Sequence, residues 1–257
     1  MLVRSWNLFH GNTVPPQRRA FLDEMLRLAT ADEPDVLCVQ EVPGAALGQF
    51  TAGDIAARPR LLSATLGEHL TDFHHGLLRS LLTGQGNAML VAPRFRVLAR
   101  TRLTLNPRRF RQQQERSLRL PPLTRLAWAR ERRIVQGLRL EAGDGRRIFV
   151  ANLHCTSYAR DPRPAEAELL RAAWFATSTA AAGDVVVLAG DFNVTAASPA
   201  VQALCGPEWG FSPPGPGIDH VLVRGADTSP VRVWPQEQRL YDGLLLSDHA
   251  PVEVDIR

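Results

Sequence analysis

Six short polar motifs are strung along this sequence: Trp6-Asn7, Gln40-Glu41, Asn152-Leu153-His154, Gly190-Asp191-Phe192-Asn193, Ile218-Asp219-His220 and Ser247-Asp248-His249-Ala250-Pro251. Four of them close an apolar run that reads as a strand, as Val36-Leu37-Cys38-Val39 does before Gln40 and Val185-Val186-Val187-Leu188 before Gly190. Carboxylates, amides and imidazoles at strand ends, drawn from both halves of the chain, point to one metal-assisted site for phosphate chemistry.

The rest of the pattern supplies a scaffold. Strands are expected over residues 2–9, 35–40, 87–92, 95–105, 134–140, 147–153, 185–188, 218–223, 231–234 and 251–256, with a hairpin turn at Ala142-Gly143-Asp144-Gly145. Pro15-Pro16 can open a helix whose apolar face is Phe21, Leu22, Met25, Leu26 and Ala29. A second helix is expected over 164–182, with Leu169, Leu170, Ala173, Trp174 and Thr177 along one side and Gly183 as its stop. Residues 44 to about 70 read as partly helical, and 207–217 as a loop. Strands alternating with helices and hairpins make a mixed α/β pattern, expected as one domain over 1–257. No stretch has the apolar length to span a bilayer, and a strand that begins at Leu2 leaves no room for a signal peptide. Cys38, Cys155 and Cys205 lack metal-like spacing, and an odd count favours a reducing compartment, so a cytoplasmic protein is expected.

Charge is distributed unevenly. All 30 basic residues are arginine. Residues 94–139 hold fourteen of them against Glu115 and Glu131, a net of +12, whereas the remainder carries sixteen against 24 acids, a net of −8. Such a segment attracts polyanions, although a solvated basic loop has the same composition. It is long for a connection; a short helix near 112–119 is expected on the surface.

Individual residues suggest roles. Asp191 and Asn193, two apart on a turn, can hold one water, the carboxylate taking its proton and the amide orienting it; an Asx turn capping the next helix uses the same residues. His249 can donate to a phosphate oxygen, with Asp219 as the carboxylate that keeps it cationic, and Asp248 can bind metal or that imidazole. Glu41 is the better ligand for a hard cation, and Asn7 orients it or fills the outer shell. Asn152 and His154 alternate on a strand and share one face, where His154 can touch a phosphate oxygen. His10, His69, His74, His75 and His220 read as structural or surface residues.

Assembled, these motifs resemble the endonuclease/exonuclease/phosphatase superfamily over nearly the whole length, with Gly190–Asn193 and Ser247–Pro251 specific for it and Gln40-Glu41 in support. Gly86-Asn87-Ala88-Met89-Leu90 and Arg132-Arg133 look like further landmarks of that family. The resemblance implies a deoxyribonuclease-like α/β fold: a two-sheet β-sandwich flanked by helices in four α/β/β/α layers, with the site at one edge. It implies a hydrolase of phosphoester bonds that depends on Mg²⁺ or Mn²⁺. By that resemblance Glu41 is the metal ligand with Asn7 and Asp248 close by, and Asp191 is the base. Asn193 orients water or phosphate, His249 with Asp219 forms the acid or electrostatic dyad, and His154 contacts phosphate.

Departures narrow the substrate. Gly217-Ile218-Asp219-His220 differs from the Trp-Cys-Asp-Arg usual in inositol polyphosphate phosphatases, and Val42-Pro43 after Gln40-Glu41 differs from the Thr-Lys of abasic-site endonucleases. Bacterial sphingomyelinases are usually secreted, and no signal is visible. The leading reading is a nuclease that takes nucleic acid as substrate. Arg108, Arg109, Arg111 and Arg116 would contact the backbone beside Asn152, and Phe110 would stack. A small or lipid phosphoester is the second reading, and a catalytically silent binding protein on this fold the third. No stable protein partner is expected, and a monomer is the family default.

Overall fold

The strand β9 (Val185–Asp191) shows why the molecule is layered. Its side chains alternate, so Val186 and Leu188 pack toward helices while Val187 and Ala189 face another sheet. A strand covered on both sides reads as an unbroken apolar run, which is what Val185 to Ala189 is. The computed structural model describes residues 1–57 and 84–257.

One sheet contains β6 (Arg96–Thr104), β7 (Ile134–Glu141), β8 (Arg147–His154), β9 and β10 (Asp219–Arg224), in the order β10-β9-β8-β7-β6. The other contains β1 (Leu2–Asn7), β3 (Val36–Pro43), β4 (Ala52–Ala57), β5 (Gln85–Val91), β11 (Arg232–Val233) and β14 (Val252–Asp255), in the order β11-β14-β1-β3-β5-β4. A small third sheet joins β2 (Thr13–Val14), β12 (Leu240–Tyr241) and β13 (Leu244–Leu246). Val3, Val36, Cys38 and Met89 of one large sheet meet Leu138, Val150, Val187 and Val221 of the other, forming the core of the sandwich. Helix α1 (Leu22–Thr30) lays Leu22, Met25 and Ala29 on the outer face of the first sheet. Helices α4 (Arg163–Thr179) and α5 (Pro199–Cys205) cover the second. The four α/β/β/α layers are those the resemblance implies.

Several boundaries differ from expectation for local physical reasons. Pro15-Pro16 precede α1 but do not open it; the helix begins at Leu22. The strand expected to stop at Gln40 runs to Pro43, because a bulge in its pairing with β5 between Val39 and Val42 absorbs Glu41. Residues 44–49 form a 3₁₀ turn and β4 follows; the remainder of the expected helix, with His69, His74 and His75, lies outside the described residues. The arginine-rich connection holds two helices, α2 (Arg108–Ser117) and α3 (Pro122–Arg130), instead of one. In α4 the buried stripe is Ala165, Leu169, Ala172, Ala173 and Ala176, rotated from the expected one, and Trp174 is left 58% exposed. Alanines let the helix approach the sheet closely; Phe175 still packs edge-on against Phe149 of β8, while Trp174 turns outward.

Candidate active site

Strand register assembles the site. On the second sheet His154 pairs with Asp191, and Asp191 with Asp219, so the last residues of β8 and β9 and the first of β10 stand side by side. On the first sheet Asn7, the last residue of β1, pairs with Gln40 where the pairing of β1 with β3 ends. Gly190 makes the close approach of β8 and β9 possible: at φ +147°, a Cβ there would sit 1.9 Å from the Leu153 carbonyl oxygen. Polar side chains tie the two sheets together beneath the site. Gln40 Nε2 donates to Asn152 Oδ1 at 2.8 Å and to Ser5 Oγ at 3.1 Å, while Asn152 Nδ2 donates to the carbonyls of Val39 at 3.0 Å and Ala88 at 2.9 Å.

Loops complete the arrangement. Glu41 at φ 56°, Asn193 at 53° and Ser247 at 60° are non-glycine residues in the left-handed region, where strained backbone tends to gather around sites. Ser247 Oγ donates to the Asn7 carbonyl at 2.7 Å and accepts from the His249 amide at 3.1 Å. The buried Arg239 guanidinium holds the Ser247 and His249 carbonyls at 3.1 and 2.8 Å, and Trp6 Nε1 donates to the His249 carbonyl at 2.9 Å.

Asp191 is the centre. Its Oδ2 accepts from Asn7 Nδ2 at 3.0 Å and its Oδ1 from the Asn193 amide at 2.9 Å. His154 Nε2 lies 3.5 Å and His249 Nε2 3.9 Å from Oδ2. Burial, reinforced by the Asp219 charge and only partly offset by His249, Asn7 and Asn193, raises the Asp191 carboxyl from 3.8 to about 7. Burial alone would lower His249, but a 2.7 Å hydrogen bond from Nδ1 to Asp219 Oδ2, with the charges of Asp219, Asp191 and Asp248, lifts it to about 10. His154 goes the other way: burial and the nearby Arg133 guanidinium hold it well below its ordinary value. The site therefore offers one cationic and one neutral imidazole at neutral pH.

All eight expected catalytic and metal residues meet at this edge: Asn7, Glu41, His154, Asp191, Asn193, Asp219, Asp248 and His249. Asn193 Nδ2 is spent on the Cys155 carbonyl at 3.0 Å, while its Oδ1 carries no protein hydrogen bond among the described residues. The expectation that Asn152 contacts substrate does not hold, since the residue is fully buried and its amide is consumed by the bridge between sheets. His10, expected to be structural or surface, instead places Nε2 2.8 Å from Glu41 Oε2. Ser247 belongs to the Ser247–Pro251 motif but has no expected role of its own, and Arg239 is not singled out. The place of Ser247 beside Asp248-His249 put such a role within reach, whereas nothing local marks Arg239.

The basic segment is partly neutralised by the acidic body, Arg94 pairing with Asp35, Arg96 with Glu141, Arg102 with Asp54 and Arg139 with Asp184, while Arg133 pairs with Glu131 of the segment itself. Arg108, Arg109, Arg111 and Arg116 on α2 have no ion-pair partner among the described residues. Their connection leaves β6 at Thr104 and enters β7 at Ile134, which pair with each other at the same sheet end as His154 and Asp191. Phe110, expected to be free for stacking, packs edge-on against Trp128 at 6.0 Å and under the Arg171 guanidinium at 4.7 Å.

The donor chemistry fits a divalent cation. Glu41 and Asp248 supply carboxylate oxygens close enough for each charge to oppose the other, and ligand atoms of Asp191, Asp219 and His249 lie within 4.8 Å of one another. Asn7 is committed through both ends, its Oδ1 accepting from the Phe9 amide at 3.0 Å, which suits an orienting position.

The chain belongs to the Endonuclease/Exonuclease/phosphatase family, whose sequence model matches residues 5–249. Members of this family are phosphoester hydrolases, among them nucleases, phosphatases and phosphodiesterases, and generally use a divalent metal. The fold is similar to that of an endonuclease/exonuclease/phosphatase from Bacteroides vulgatus, with a TM-score of 0.67 and 17% identity over 100% of this chain and 98% of that one. It is similar to the human Nocturnin catalytic domain with bound sulfate anion, at a TM-score of 0.63 and 15% identity over 100% and 93%. A mannosyl-6-phosphatase from Bacteroides thetaiotaomicron matches at a TM-score of 0.58 and 14% identity over 100% and 99%. No curated protein matches the sequence significantly. Among the described residues, no helix is long and apolar enough to cross a membrane.

Proposed function

We propose that the chain is a single-domain, monomeric phosphodiesterase that depends on Mg²⁺ or Mn²⁺, and that it acts as a nuclease, cleaving nucleic-acid phosphodiester bonds by in-line attack of water. The observation that carries the chemistry is the Asp191 carboxylate. It is held by Asn7 and the Asn193 amide, raised to about 7, and flanked by two imidazoles of opposite protonation state. A base with a pKa near the working pH is the most efficient proton acceptor. Asp191 takes the proton of the attacking water, and the free Asn193 Oδ1 orients it. His249, kept cationic by Asp219, presents Nε2–H to a phosphoryl oxygen as charge builds there, and neutral His154 donates a second N–H. Glu41 and Asp248, oriented by Asn7, would hold the cation. When bound, it would neutralise phosphoryl charge and stabilise the leaving oxygen.

The arginines of α2, without ion-pair partners among the described residues, support nucleic acid as substrate, because a phosphate backbone is bound through such charges without regard to sequence. Three free cysteines accord with a reducing cytoplasm. A second reading has its own observation. Leu123 and Leu126 of α3 are 65% and 70% exposed and line a groove of about 510 Å³ with Arg130, Tyr158 and Arg160, apolar surface with a basic rim that suits an anionic lipid phosphoester.

Nicking of supercoiled plasmid with Mg²⁺ or Mn²⁺ tests the nuclease reading. Activity is expected in the intact protein and not in Asp191→Ala or with chelator. Intact plasmid and RNA alongside turnover of a lipid phosphodiester or a phosphomonoester would replace it with the second reading.

A further inference from the structure

His10 is a buried imidazole in the site to which the chemistry above gives no task. Its Nε2 meets Glu41 Oε2 at 2.8 Å, while Oε1 of the same carboxylate faces His154 at 3.9 Å. The contact is built into the backbone. Asn7 Oδ1 caps the Phe9 amide, and the amides of Gly11 and Asn12 bond back to the Leu8 and Phe9 carbonyls at 2.7 and 2.8 Å. Phe9 and His10 are both held in the left-handed region, at φ 46° and 57°, and Glu41 sits there too, on its bulge. Strained non-glycine residues persist only where the surroundings over-determine them, and here three of them bring one imidazole to one carboxylate. His10 Nδ1 has no hydrogen-bond partner among the described residues, so the Glu41 contact alone keeps the ring proton on Nε2, and a cation seated on Glu41 can take that place and meet the Nε2 lone pair with the proton moved to Nδ1.

We propose that His10 is a nitrogen ligand for the divalent cation that Glu41 holds. The mixed nitrogen and oxygen donor set then favours Mn²⁺ or another first-row transition cation over Mg²⁺, which prefers oxygen alone. The proposal rests on the assignment of Glu41 as the metal-holding carboxylate.

The test is Mn²⁺ binding followed by electron paramagnetic resonance, with electron spin-echo modulation of the bound ion. Wild type is compared with His10→Gln, His154→Gln and Glu41→Gln. Nitrogen modulation is expected in wild type, retained in His154→Gln and lost in His10→Gln. Labelling histidine with ¹⁵N in the intact protein identifies an imidazole ligand without any substitution. His10→Gln should weaken Mn²⁺ binding at least about 10-fold and Mg²⁺, measured by competition, by less. Wild-type Mn²⁺ without nitrogen modulation would overturn the proposal, as would modulation lost in His154→Gln instead. Binding by His10→Gln as tight as wild type would do the same, leaving His10 a partner of the empty carboxylate. If Glu41→Gln kept wild-type affinity, the metal assignment itself would fail, a separate result.

Discussion

Asp191 answers opposing demands. As a carboxyl with a folded pKa above its ordinary 3.8, it favours the fold when protonated; that contribution is complete below 3.8 and disappears as pH rises through about 7. At pH 8 its buried charge is a burden on the fold. In chelator, Asp191→Asn should raise the melting temperature at pH 8, with the gain shrinking toward pH 5, while activity falls about 10²–10⁴-fold. Unequal signs of the two effects would separate catalysis from folding; a lower melting temperature at pH 8 would refute the account. The dyad makes a second prediction. The rate of wild type should fall on the acid side at or below about 7, where Asp191 takes up its proton, and on the alkaline side near 10, where His249 loses one. Asp219→Asn removes a charge that raises both groups, so both limbs of the kcat/KM profile should move to lower pH. At this scale most of the site was legible in the sequence, because Asp191, Asn193, Asp219, Asp248 and His249 sit in motifs whose chemistry is local. Asn152 was misread because its motif shows polarity at a strand end but not which groups of another strand, such as the Val39 and Ala88 carbonyls, will claim it.

Between elements, the bridge formed by Gln40 and Asn152 bears a structural load that no apolar pair could replace. Asn152→Ala would take the side-chain donor from two buried carbonyls, each loss costing about 1–3 kcal/mol, and leave Gln40 Nε2 with Ser5 Oγ alone. A loss of about 3 kcal/mol is expected in urea unfolding; a loss below 1 kcal/mol would show that water takes the place of the amide. Strands were the most readable elements, since period-two alternation and apolar runs are written directly into β1, β8 and β9. Boundaries failed where tertiary contacts intervened. The β3 bulge depends on β5, and the rotation of α4 depends on how closely alanines approach a sheet. The helix expected near 112–119 is α2, which lies at Arg108–Ser117 because with no fully buried residue it has no apolar face to fix its bounds, and α3 was not expected because it buries only Thr124 and Trp128.

For the molecule as a whole, charge is a matter of partners as much as of counts. The +12 segment loses part of its excess to acids of the body, and of its eight arginines without an ion-pair partner among the described residues, four lie on α2. Replacing Arg108, Arg109, Arg111 and Arg116 together by alanine should flatten the salt dependence of nucleic-acid binding, lowering the log–log slope by about 3 to 4 if each meets a phosphate. An unchanged slope would remove α2 from the substrate path.

The site also straddles the sandwich: Asn7 and Glu41 ride on one large sheet, His154, Asp191 and Asp219 on the other. Its geometry is therefore a strain gauge for the slip of one sheet across the other. A displacement of about 1 Å is enough to cost about 10²-fold in rate. Trimming Val150→Ala, one turn of the pleat and more behind His154 in the inter-sheet core, should dull the enzyme further than its modest loss of stability accounts for, so catalysis would register a loosened core before any melting curve does.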